Sequence, residues 1–161
     1  MQPNRNGFSL IELLIVVAII LVIAAIAIPN LLRSRIAANQ ASAIGSLRTF
    51  NTAEEMFQST FNMGYSSTLL QLGPPAAGSP ATASAAGLLD SVLVSGVKSG
   101  YNFTYTPKAP DVQGKYTGYT VNADPSQAGV TGTAHYYTDH SYVIRGNNTG
   151  VASASSSPLA D

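Results

Sequence analysis

The sequence predicts an α+β chain: a long N-terminal helix, apolar in its first half and amphipathic in its second, packed on a small antiparallel β-sheet. Three observations carry this. Leu13 to Ile28 is unbroken apolar sequence, twelve large aliphatics and four Ala, with no charge between Glu12 and Arg33. Apolar residues then recur at spacings of three, four or seven as far as Phe61. From Tyr101 onward, aromatic and β-branched residues alternate with polar ones.

Composition narrows the function before any element is placed. The 161 residues carry 8 Lys+Arg against 8 Asp+Glu, so no broad electrostatic attraction to nucleic acid or an anionic surface is built in. The absence of Cys excludes a disulfide framework, a zinc–cysteine site, an iron–sulfur cluster and a thiol nucleophile. Charged residues make up 10% of the chain, well under the ~25% of an average soluble domain.

Read as a helix, residues 8–28 span about 31 Å at about 1.5 Å per residue, the thickness of a bilayer core of about 30 Å. A helix in a soluble core is seldom apolar all round. A cleaved secretory signal fits poorly, because its apolar stretch is shorter, about 7–15 residues, and ends in a small-residue cleavage site. Here Pro29-Asn30-Leu31-Leu32-Arg33 follows instead. The polar leader Met1–Gly7 precedes the apolar run, and Gly7 is the natural place for a cut, since a residue without a side chain lets a protease reach the backbone. Glu12 is the anomaly. A carboxylate costs about 2.5–3.5 kcal/mol at the centre of a span and less near its end. Twelve large aliphatics at about 0.3–0.6 kcal/mol each outweigh it. Tolerance is not a role, and the role that suits Glu12 is to meet a cation from another chain.

Gly7-Phe8-Ser9-Leu10-Ile11-Glu12-Leu13-Leu14-Ile15-Val16-Val17-Ala18-Ile19-Ile20, followed by Ala24-Ala25-Ile26-Ala27-Ile28-Pro29, resembles the N-terminus of type IV pilins and of the pseudopilins of type II secretion. The resemblance covers about the first thirty residues. It implies that a prepilin peptidase cuts after Gly7 and N-methylates Phe8. It also implies that Glu12 pairs with the N-terminal amine of a neighbouring subunit, a strong attraction in a low-dielectric setting. Many members have Gly at the position of Leu21, where the helix loosens in the fibre; Leu21 keeps helix propensity high instead. Pro29 removes a backbone donor and should kink or locally open the helix. The organisation that follows is a leader (1–7), a transmembrane or filament-core helix (8–28), an amphipathic helix (29–64), a globular head with an antiparallel sheet (65–145) and a flexible tail (146–161).

In the amphipathic half, Ile36, Ala43, Leu47, Phe50, Phe57 and Phe61 form one stripe, with Arg33, Arg35, Arg48 and Glu55 on other faces. Phe at helical spacing reads as the face laid on a sheet rather than as an electron path. Gly64 is a stop signal, so one helix is expected over residues 8–62. Residues 65–72 suit a short helix or turn. Residues 73–87, with three Pro and no charge, suit a loop, and residues 88–94 suit a short helix or strand. Strands are expected over 101–105, 116–123, 133–138 and 141–145, the last two joined by a tight turn at Asp139-His140. The Ser, Ala, Asn and Gly of residues 146–161 read as a mobile tail, in which the Ser153–Ser157 stretch could carry glycans.

Catalytic chemistry is poorly supplied. Asp139-His140-Ser141 holds the residue types of a hydrolase triad, but adjacent residues point to different sides, and no Gly-x-Ser-x-Gly elbow presents a nucleophile. Major pseudopilins bind calcium in a C-terminal loop, and calcium takes six to eight oxygens. The oxygen and imidazole donors here, Asp111, Asp124, Asp139, His135 and His140, are too dispersed for that, so no cofactor is expected and calcium has weak support. The Asn102-Phe103-Thr104 acceptor sequence would sit in a strand.

The expected function is structural: a prepilin stored as a single-pass protein of a bacterial inner membrane and polymerised through its N-terminal helix into a filament at the cell surface or in the periplasm. The partners this implies are identical or related pilin subunits, the prepilin peptidase/methyltransferase, an inner-membrane assembly platform and membrane lipid. The alternative is a pseudopilin of a type II secretion system. A DNA-uptake pilin would need Arg33, Arg35, Lys98, Lys108, Lys115 and Arg145 to gather, and their scatter speaks against nucleic acid as a partner. A membrane-anchored enzyme or receptor domain lacks catalytic residues.

Overall fold

The computed structural model describes residues 8–159. The expected leader, including Gly7, lies outside the described residues. Helix α1 runs from Leu10 to Phe61, 52 residues, close to the expected bounds. The chain divides into two units, residues 1–35 and 36–161.

In the first unit α1 carries the apolar run, and every large aliphatic from Leu10 to Leu32 is exposed. Among the described residues this is the one helix long and apolar enough to cross a membrane. The helical assignment continues through Leu21 and through Pro29, where the missing N–H leaves the Ala25 carbonyl without its usual donor.

The second unit holds the core. Ala43, Leu47, Phe50, Ala53 and Phe57 are buried along α1, and Phe61 is partly buried at the end of the stripe. The helix stops at Asn62 and Gly64, both at positive φ, and a Cβ on Gly64 would run into the Tyr116 carbonyl. Two single-turn helices follow, α2 (Leu69–Leu72) and α3 (Ser91–Val94), the second capped by Asp90, whose Oδ1 accepts from the Leu93 amide at 2.7 Å. They put Leu72 and Leu93 into the core, and Leu89, just before the Asp90 cap, joins them.

Six antiparallel strands then pair in chain order: β1 (Val97–Lys98), β2 (Tyr101–Pro107), β3 (Tyr119–Pro125), β4 (His135–Asp139), β5 (Arg145–Asn147) and β6 (Ser157–Pro158). Register aligns Phe103 with Ala123 and Tyr136, and Tyr105 with Val121 and Thr138. These rows face α1, where Phe50 meets Phe103 at a ring separation of 5.6 Å.

Two expectations are corrected. Residues 141–144 are not a strand, and only Arg145 of the expected stretch pairs, as the start of β5: the β4–β5 connection is a wider loop, with Tyr142 at φ 62 and its amide bonded to the Asp139 carbonyl at 2.8 Å. Residues 146–159 are not a loose tail. They supply most of β5 and all of β6, bury Ala152, and return Leu159 to bond the Ile144 carbonyl at 2.9 Å. Extending an existing sheet edge satisfies backbone groups while burying little apolar surface, so a Ser/Ala/Asn-rich segment can do it.

Candidate functional site

The N-terminal segment comes first. Ser9 precedes the helix, and Glu12 reaches back so that its Oε2 accepts from the Ser9 amide at 2.9 Å. Ser9-Leu10-Ile11-Glu12 is thus half of a capping box, in which an acid three residues into the helix satisfies a donor the ladder leaves open. Its negative charge also stands at the positive end of the helix dipole. The sequence reading looked for a cation and passed over the Ser-x-x-Glu signal. Phe8 stands just before this turn, 77% exposed.

The head contains a second polar centre. Glu54 is fully buried in α1, and among the described residues no cation pairs with it. Its Oε2 accepts from the Ser66 amide at 3.0 Å, and its Oε1 lies 2.6 Å from both the Ser66 Oγ and the Tyr105 hydroxyl. That hydroxyl also lies 2.9 Å from the Ser66 Oγ and 2.7 Å from the Ser66 carbonyl.

Burial raises the Glu54 pKa above the ordinary carboxylate value, and the hydrogen bonds from Ser66 and Tyr105 oppose that shift. Burial and the nearby Glu54 also drive the Tyr105 phenol up.

One turn earlier, Asn51 Oδ1 accepts from Tyr119 Oη at 2.9 Å and Thr138 Oγ1 at 3.0 Å, and its Nδ2 donates to the Tyr142 carbonyl at 3.2 Å. Asn51 and Glu54 together tie α1 to β2, β3, β4 and the loop after the helix. Sequence reasoning missed both. Their signal was position, four residues after Leu47 and Phe50 respectively, inside the apolar stripe.

The remaining candidates do not converge. His135 Nδ1 and Asp124 Oδ1 meet at 2.6 Å across β3–β4. Asp139 instead accepts from the Ser141 amide and the Tyr137 hydroxyl. Burial would raise its pKa, but these bonds hold it below the ordinary value. His140 faces Lys108 at 3.4 Å, Asp111 closes its own turn, and Arg145 donates to the Ser156 carbonyl. Among the described residues no three His, Asp or Glu gather where a metal could be held. Ser153 and Ser155 are exposed, and Asn102 lies in β2.

An apolar, acid-bearing N-terminal helix continuing into a helix-on-sheet head defines a class, and the comparisons agree with it. The family model described as the prokaryotic N-terminal methylation motif matches residues 2–28, which include Gly7, Phe8 and Glu12. By this segment and the helix that follows it, the chain is similar to type IV pilins over about its first third. It is 47% identical over 56 residues to the type IV major pilin protein PilA of Myxococcus xanthus, a match covering 35% of this chain and 26% of that protein. It is 49% identical over 55 residues to the type IV wide pilus major component PilA4 of Thermus thermophilus, covering 34% of this chain and 42% of the relative. The match thus spans about a quarter of one relative and about two fifths of the other. No solved structure matches it.

Proposed function

We propose that this chain is a structural subunit of a type IV pilus-like filament, held in a bacterial inner membrane by residues 8–28 and polymerised through them. One observation carries the reading: an apolar helical stretch, residues 8–28, whose large aliphatics are all exposed and whose single charge, Glu12, stands near its start. Exposed aliphatics on this scale need lipid or other copies of the same helix around them. Moving from lipid into a filament core keeps them in an apolar environment, so hydrophobic burial bars return to water but does not drive extraction. What distinguishes the two settings is polar. After a cut between Gly7 and Phe8 by a prepilin peptidase, the methylated amine of one subunit pairs with Glu12 of its neighbour, which fixes register. An inner-membrane assembly platform supplies the work of extraction. The reading is structural, with no catalytic or cofactor step. A type II secretion pseudopilin would share every step up to filament length and place, but both relatives are named as pilus components, which favours the pilus.

The test is intact mass of the protein from sheared surface filaments of its native host. The expected species begins at Phe8 and carries one extra methyl. A surface fraction without the protein, or a chain beginning at Met1 or after residue 28, overturns the reading.

A further inference from the structure

The head carries an exposed turn with an apolar tip (the knob) and a groove with aliphatic walls, each bearing one acid and one base, and the two share no residue. The knob is the tip of the β2–β3 connection. Asp111 Oδ1 accepts from the Gln113 amide at 2.8 Å and the Lys115 amide at 2.9 Å, and the Asp111 amide bonds the Lys115 carbonyl at 2.9 Å. Gly114, at φ +79, completes the turn by donating to the Asp111 carbonyl at 3.0 Å. The base is tied down where the Tyr65 amide meets the Tyr116 carbonyl at 2.9 Å. This closed turn holds Val112 entirely in solvent, at 104% exposure, between an acid and a base. A rigid turn presents an apolar side chain with little entropy left to lose on docking.

The groove, of about 630 Å³, lies between α1 and the C-terminal strands, with Ile44, Val143, Ile144 and Leu159 among its lining. Arg48 and Glu55 stand on its helix wall, seven residues apart and so about 10 Å along the axis. No residue of the 108–118 connection lines it. None of Arg48, Glu55, Asp111 and Lys115 belongs to an ion pair among the described residues.

We propose that the knob of one copy docks in the groove of a second copy of this chain, Val112 entering between the aliphatic walls, Asp111 facing Arg48 and Lys115 facing Glu55. The Oδ2 of Asp111 remains for Arg48 because Oδ1 holds the turn. The contact is heterologous: each copy offers its knob to one neighbour and its groove to another, so it propagates rather than stopping at a pair. It rests on the reading of the chain as a filament subunit and adds a contact between heads to the one made by the N-terminal helices.

The experiment uses the full chain, expressed in its native host, with sheared filaments as material. The chain has no cysteine, so Val112→Cys with Val143→Cys gives a clean crosslink. Oxidation of these filaments is expected to give a ladder of dimers, trimers and longer species, with no ladder past dimers in either single variant. Separately, Lys115→Glu and Glu55→Lys are each expected to lower filament yield by about fivefold, the scale of one exposed ion pair, and the double reversal to restore it. Wild-type filaments of normal yield with no ladder overturn the docking alone, as does a ladder ending at dimers or a disulfide closed within one copy. Reversals that fail to rescue each other overturn the charge pairing. Absence of wild-type filaments overturns the underlying reading instead.

Discussion

Glu54 is a carboxyl buried without a cation among the described residues, and its titration has a definite sign. Its pKa is raised in the folded head relative to the unfolded chain, chiefly by burial. The stability it contributes is therefore fully present below the ordinary carboxylate pKa and is lost as pH rises through the raised value. Asp139 has the opposite sign, since its pKa is lowered and its contribution fades as pH falls. A single pH curve mixes the two, so the informative quantity is the difference between wild type and Glu54→Gln. The amide keeps an acceptor for the Ser66 amide and cannot ionise. In denaturant unfolding, Glu54→Gln is expected to gain stability relative to wild type as pH rises from mildly acidic to mildly alkaline. Parallel curves would show that Glu54 does not titrate there. Phe57, 1% exposed and 5.1 Å ring to ring from Phe61, tests the apolar part of the same helix face. Phe57→Ala should cost about 3–5 kcal/mol through the cavity it leaves, read as a fall in the unfolding midpoint at constant slope.

At the scale of elements, the start of α1 gives Glu12 two jobs that one substitution cannot separate. Glu12→Ala removes both the acceptor for the Ser9 amide and the negative charge; Glu12→Gln keeps an acceptor and removes only the charge. If pairing with a neighbour's amine is what filaments need, both variants should accumulate in the membrane and both should fall sharply in the sheared fraction, because an amine buried without its partner costs about 3–5 kcal/mol. Wild-type filament yield from Glu12→Gln would make Glu12 a helix cap and nothing more. The elements differ in how far the sequence reveals them. The helix and strands β2 and β3 were legible because 3.6- and 2-residue periods run long enough to be counted. Strands β1, β5 and β6 have two or three residues, too few for any period, and exist because a neighbouring edge was already there. The Asn51–Glu54 clamp was hidden for another reason. A polar residue in an apolar stripe declares itself only through its partners, which lie 12, 51, 68 and 87 residues away in the chain.

The whole molecule divides its tasks between two units, and that division can be cut. Among the described residues every buried apolar one lies between Ala43 and Ala152, all in the unit that begins at Ile36. The first turns of that unit are tied to the rest of it by side chains: Asn39 Nδ2 donates to the Thr131 carbonyl at 2.8 Å, Gln40 Nε2 to Thr133 Oγ1 at 3.1 Å, and Ser42 Oγ to Ser99 Oγ at 2.8 Å. A chain starting at Ile36 loses the helical hydrogen bonds that cross the cut and gains a frayed first turn, but it loses no core contact. It also sheds the exposed aliphatics from Leu10 to Leu32, which are what demand lipid or detergent. Residues 36–161 alone should therefore be soluble without detergent, monomeric by light scattering at low concentration, and should unfold in one cooperative step. The full chain should need detergent to stay dispersed. A fragment that aggregates or melts without a transition would mean that the head depends on residues 1–35 for its fold. In that case the N-terminal half would be part of the structure it is proposed only to anchor.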